Sequence, residues 1–275
     1  MKLSSYGSVG GESLAAYAAK EAYHTIRTNL MFSLAKTGCK TVLFSSSVQG
    51  EGKTTSAANV AFSLARSNKK VLLIDCDLRS PRIHRLVKRA KAPGLTNFLS
   101  GFNSFDEICH RQVFPNLDVI CAGTTSPNPS EMIASEGMAS LLASIQKHYD
   151  FVIIDTPPVN PVSDALALVS SVDGVVMVVR PGYTNRKDFH NALSKIAFVG
   201  GKVLGAIANA VQAEKSRGYG RYGQYGRYGD AALQEKRPPA ASTVASATTV
   251  PAPSPVPTPP PVSQRTEEGE EPKTE

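Results

Sequence analysis

The stretch SSVQGEGKTT, residues 46 to 55, follows the apolar run TVLFS and precedes the helix-like SAANVAFSLAR. Glycines at 50 and 52 let backbone N–H groups curl around a phosphate, and a helix opening near Lys53 points its positive end there. Lys53 would then hold the β and γ phosphates and Thr54 would place its hydroxyl on Mg²⁺, with Gly50, Glu51, Gly52 and Thr55 completing a nucleotide-binding loop. The spacing fits GxxxxGK[ST] except that Ser47 stands where the first glycine belongs. The expected ligand is Mg-ATP.

Further carboxylates end two other apolar runs. KVLLID closes on Asp75 and continues through Cys76 to Asp77 and Arg79. Extended spacing puts both aspartates on one face. One could order the waters of Mg²⁺ while the other accepts a proton from an incoming hydroxyl, and Arg79 could stabilise phosphate charge. An isolated pair of this kind more often caps a helix or pairs with Arg82 or Arg85, but its place after a phosphate-loop strand favours chemistry. FVIID supplies Asp155, where a carboxylate reaches Mg²⁺ directly or through water, the alternative being simple solvation of a strand end. Asn209, after VLGAIA, reads either as an adenine contact or as a turn residue.

Positioning these groups requires a particular scaffold. Strand-like runs fall at 41 to 45, 70 to 75, 117 to 122, 151 to 155, 174 to 179 and 203 to 208, separated by helical stretches such as 53 to 67, 136 to 148 and 186 to 198. Continuous apolar strands alternating with helices predict an α/β fold, a doubly wound and mainly parallel sheet covered on both faces. Ligands of such sheets sit beyond the carboxyl ends of the strands, where Lys53, Asp75 and Asp155 emerge. Ser13 is a candidate cap for a long first helix.

Composition bounds the rest. Of the nineteen prolines ten lie in residues 231 to 275, which carry 4 Lys or Arg against 6 Glu and leave 26 against 17, or +9, in the preceding body. The tail lacks the apolar surface to offset the entropy of folding. The expected organisation is a flexible start (1 to 12), a phosphate-loop domain (13 to 212), a Tyr/Gly-rich arm (213 to 230) and a disordered Pro-rich and acidic tail (231 to 275). Basic charge alone fits nucleic acid, an anionic membrane face or an acidic partner equally. Cys39, Cys76, Cys109 and Cys121 show no CxxC spacing and read as buried thiols of a reducing cytoplasm. The sequence offers no signal-peptide core and no apolar run of membrane-spanning length, so membrane contact is expected to be peripheral.

The arm RGYGRYGQYGRYG places Tyr219, Tyr222, Tyr225 and Tyr228 among glycines, with Arg217, Arg221 and Arg227 interleaved. Taken alone it suits stacking on single-stranded nucleic acid, a plain spacer, or a modification site. Taken with QGEGKTT, LLIDCDLR and FVIIDTPPV, it resembles the bacterial tyrosine kinases of capsule and exopolysaccharide assembly, from about residue 12 to 230. That resemblance implies autophosphorylation of the four arm tyrosines, with Lys53, Thr54 and Asp155 on Mg-ATP, Asp75 as proton acceptor and Asp77 supporting Mg²⁺. It implies a ring-like homo-oligomer, a membrane-embedded polysaccharide co-polymerase as activator, a cognate tyrosine phosphatase, a place on the inner face of the membrane and no nucleic-acid partner. The ring motif ExxRxxR reads here as Glu21, His24 and Arg27, and an imidazole in the middle weakens the fork-like pairing an arginine makes. Positioning ATPases share the loop but carry a lysine where Val48 stands.

Overall fold

A computed structural model describes residues 14–211. The expected start (1 to 12), Ser13, the arm with Tyr219, Tyr222, Tyr225 and Tyr228, and the proline-rich tail lie outside the described residues. The chain runs through α1 (Leu14–Ser33), β1 (Lys40–Ser46), α2 (Lys53–Arg66) and β2 (Val71–Asp75), then the short helices α3 (Ile83–Val87), α4 (Leu95–Leu99) and α5 (Phe105–Ile108). β3 (Cys109–Phe114) and β4 (Leu117–Ile120) follow, then α6 (Pro129–Ile133), α7 (Glu136–Ile145), β5 (Phe151–Asp155) and α8 (Asp164–Leu168). The last elements are β6 (Gly174–Val179), α9 (Arg186–Phe198) and β7 (Val203–Ala208).

Among the described residues the strands form one seven-stranded sheet in the order β3-β4-β2-β5-β1-β6-β7. Only the β3 to β4 pairing is antiparallel. Alternate residues of the central strands feed different cores. Leu43, Leu72, Ile74, Val152, Ile154 and Met177 belong to one, and Val42, Phe44, Leu73, Ile153 and Val178 to the other. Burial on both faces is why these strands read as unbroken apolar runs.

Helix α2 packs through Ala57, Val60, Ala61 and Leu64, none with any exposure. Alanine favours the helix and lets it approach the sheet closely. Leu64→Ala would cost about 2 to 5 kcal/mol. Against α2 lies α1, whose Tyr23, Ile26 and Leu30 form a stripe at helical spacing, with Leu34 packing just past its end.

Two expectations need correction. β3 was not foreseen, because CHRQVF is largely polar and broken by a register shift at which Gln112 takes a φ of 47°. The run 117 to 122 leaves the ladder after Ile120. The carbonyls of Cys121 and Ala122 accept instead from the backbone N–H groups of Leu95 and Thr96, at 2.8 and 2.9 Å. All four cysteines are buried and free.

Candidate active site

β1 delivers the chain into the loop 47 to 52, which turns through Gly50 at φ 90° and Gly52 at φ 94° before α2 begins at Lys53. Gly52 is constrained twice, because it sits in the left-handed region and a Cβ there would overlap the Asn209 amide. Ser47, in the place of the usual glycine, is fully buried. A cavity of about 270 Å³ opens over the loop, lined by Gly50, Lys53, Thr54, Asp77 and Arg82 among others.

Lys53 is the centre of the site. Its Nζ lies 2.6 Å from Asp77 Oδ2, 3.2 Å from Thr54 Oγ1 and 3.7 Å from Asp155 Oδ1. Burial works against its charge, but Asp155 and Asp77 outweigh that and raise its pKa. An ammonium thus already occupies the middle of three oxygens that come from α2, β5 and the segment after β2.

Strand pairing explains the crowding of carboxylates. Asp75 and Asp155 are direct partners across the parallel β2 and β5. Both are fully buried. Burial, then the charge of its neighbour Asp155, pushes Asp75 up to about 8, and burial pushes Asp155 up to about 6 against the pull of Lys53. Asp155 has two buried oxygens with no hydrogen-bond partner among the described residues. Buried polar atoms are normally satisfied. Oxygens left bare beside Thr54 and Asp77 fit a hard divalent cation that keeps several waters, as Mg²⁺ does.

Asp75 and Asp77 have different surroundings. Asp75 has no exposed surface, and its oxygens accept the backbone N–H groups of Asp77 at 3.2 Å and Ile83 at 3.1 Å. It holds the segment after β2 in shape, while Asp77 lines the cavity. Arg79 was expected on phosphate. It lines the cavity, makes a two-pronged pair with Asp164, at 2.8 and 3.1 Å, and donates to Ser130 at 3.0 Å. Asp164 pays a burial penalty that this pair overcomes, which lowers its pKa.

Glu51 and Asn209 were expected on the nucleotide as well. The Glu51 side chain is fully buried, accepting from Val48 N at 2.9 Å and from the Thr184 hydroxyl. Asn209 Nδ2 donates to the Glu51 carbonyl at 3.0 Å. Both side chains brace the loop. Thr55 lines the cavity. Arg82, read only as an ion-pair partner from the sequence, is an exposed cation at the cavity wall. Its position before α3, seven residues beyond Asp75, was the signal available.

On α1, Glu21 and His24 are exposed. Arg27 donates to the Ser63 carbonyl of α2 at 3.1 Å, so part of its capacity is spent within the fold. No helix among the described residues is long and apolar enough to cross a membrane.

Sheet order, phosphate loop and paired aspartates define a P-loop nucleotide-binding domain of the doubly wound class. The profile of the AAA domain family matches residues 39–202. The tyrosine-protein kinase YwqD of Bacillus subtilis is 39% identical over 203 residues, covering 74% of this chain and 86% of its own. The tyrosine-protein kinase CpsD of Streptococcus pneumoniae is 35% identical over 209 residues, covering 74% and 91%. The kinase domain of the Escherichia coli tyrosine kinase ETK superposes with a TM-score of 0.69 at 33% identity, covering 73% of this chain and 79% of that one. The chain belongs to the bacterial tyrosine kinases, and its enzyme class is protein-tyrosine kinase.

Proposed function

We propose that this kinase transfers the γ-phosphoryl group of Mg-ATP to tyrosines of its own arm, Tyr219, Tyr222, Tyr225 and Tyr228, and thereby regulates capsular or exopolysaccharide synthesis and export. The observation that carries the reading is Lys53 held between Asp77 and Asp155 at the mouth of the P-loop. In this reading Lys53 swings onto the β and γ phosphates, Gly50, Gly52 and Thr55 line their cradle, and Arg82 offers a second cation to the anionic substrate. Thr54 and Asp155 are the residues that would hold Mg²⁺, with Asp77 near enough to order its waters. When bound, the ion neutralises charge on the phosphates.

Asp77, as the carboxylate that reaches the cavity, takes the proton of the acceptor tyrosine. Asp75 acts through Asp77 by fixing its backbone. Support for a ring comes from exposed Glu21 and His24 beside the partly committed Arg27 on α1. The expected partners are a membrane-embedded co-polymerase that activates the kinase, further copies of the chain, and a phosphatase that resets it. These would keep it at the inner face of the membrane without a span of its own. Each phosphate adds about −1.5 to −2 charge to a weakly basic arm, enough to release it from a neighbour's site.

Incubating the full chain with Mg-ATP and the activator's cytoplasmic tail, and probing for phosphotyrosine, tests the reading. Wild type should label, while Lys53→Met and a variant with all four arm tyrosines changed to Phe should lose the arm signal. ATP hydrolysis without phosphotyrosine would return the chain to the positioning ATPases, against which Val48 already speaks.

A further inference from the structure

One tyrosine of the folded domain touches the phosphate loop itself. Tyr183 lies in the loop between β6 and α9 and is 54% exposed. Its Oη donates to the Gln49 carbonyl at 3.1 Å. The ring packs on Gly50 so closely that a Cβ there would lie 3.1 Å from the hydroxyl. Arg180 sits over the ring, 5.3 Å from its centroid. The next residue, Thr184, holds Glu51 by its hydroxyl. Tyr183 and Thr184 together therefore clamp the outer side of the loop that must receive the phosphates of ATP.

The same segment repeats the chemistry of the arm. Arg180-Pro181-Gly182-Tyr183 places a glycine before the tyrosine and an arginine within three residues, as Arg217-Gly218-Tyr219 does. Gly182, at φ 77°, makes the turn that presents the ring. Gln49 and Gly50 line the nucleotide cavity and Tyr183 does not, so its own loop stands between this hydroxyl and the γ-phosphate. A second copy faces no such barrier.

We propose that Tyr183 is a phosphorylation site of this kinase, modified in trans by another copy of the chain, and that phosphate there weakens ATP binding. The inference rests on the kinase reading but not on the arm being an acceptor. The bond from the γ-phosphorus to the β,γ-bridging oxygen breaks, a bond to Tyr183 Oη forms, the phenolic proton passes to the carboxylate of the attacking site, and ADP leaves. The modified residue has lost the proton it donated to Gln49, whose carbonyl now faces a group of about −1.5 to −2 charge. Arg180 is placed to pair with that phosphate and draw the ring off the loop. The added charge also lies beside the seat of the ATP phosphates. Accumulating product would thus slow the enzyme.

Mass spectrometry of the full chain after incubation with Mg-ATP and the activator's cytoplasmic tail should find phosphate on Tyr183. In a mixture with the active chain, a tagged Lys53→Met copy should carry it too. Arm phosphotyrosine with Tyr183 unmodified in both copies would overturn the inference and leave the kinase reading standing. Phosphotyrosine found nowhere would overturn both. In a chain with the four arm tyrosines changed to Phe, phosphorylation should weaken ATP binding about tenfold. Adding Tyr183→Phe should abolish that change. Unaltered affinity with Tyr183 phosphorylated would overturn the regulatory half.

Discussion

The two ends of the sheet each carry a polar cluster and a cavity, and they differ in how their charges are satisfied. At the amino ends of β2, β4 and β5 a cavity of about 450 Å³ is lined by Lys70, Arg111, Asp118, His148 and Tyr149 among others. Here Asp118 accepts from Arg111 at 3.1 Å and Tyr149 at 2.7 Å, and Arg111 reaches Asp106 at 2.8 Å. Asp118 and Arg111 are each partnered more than once. At the carboxyl ends the cavity is smaller, yet two fully buried carboxyls stand opposite one another and Asp155 has no hydrogen bond among the described residues. Complete burial of carboxylates that only one ammonium, Lys53, faces, rather than cavity size, distinguishes the phosphate end. It is the arrangement expected where a ligand completes the network.

Breaking the carboxyl end should therefore cost chemistry, and breaking the amino end should cost stability. Lys53→Met should lower phosphotyrosine formation roughly a thousandfold, measured by immunoblot or radiolabel transfer. Asp77→Asn should lower the rate by about a hundredfold or more with ATP affinity less affected, in a single-turnover assay. Asp75→Asn should lose less. Equal loss from Asp75→Asn in a folded, ATP-binding variant would restore Asp75 as the proton acceptor.

Stability against pH sharpens the same contrast. Asp75 and Asp155 hold protons in the folded state up to about pH 8 and 6, whereas unfolded they release them near pH 4. The folded state therefore binds more protons between about pH 4 and 8, and this contribution falls as pH rises through that window. The slope should reach at most about 1.4 kcal/mol per pH unit for each proton, and Asp75→Asn should flatten it in unfolding measured from pH 5.5 to 8. At the amino end, Tyr149→Phe removes one donor to Asp118. It should cost about 1 kcal/mol in denaturant unfolding and leave kinase activity in place.

Much of this was legible in the sequence, for identifiable reasons. The buried strands showed because both faces are covered, and the phosphate loop showed because its backbone needs glycines at fixed positions. Asp75, Asp77 and Asp155 were found by their places at strand ends. Their separate duties were not legible, because which carboxylate faces the cavity depends on backbone N–H groups at 77 and 83 that only the fold aims at Asp75. Arg79 lines the cavity, but its pair with Asp164 was not legible because the two lie 85 residues apart. β3 was hidden by its polar face. The clamp of Tyr183, Thr184 and Asn209 joins β6, β7 and the loop across more than 130 residues, a distance no local pattern spans.

Thermal unfolding of Asp155→Asn with and without Mg-ATP tests the central claim most directly. Relieving the charge it shares with Asp75 should raise the melting temperature by about 2 to 4 °C, and the upward shift that Mg-ATP gives the wild type should be lost. A variant that melts lower than wild type, or that keeps the full Mg-ATP shift, would contradict the account of Asp155 as a buried charge held for the nucleotide's metal.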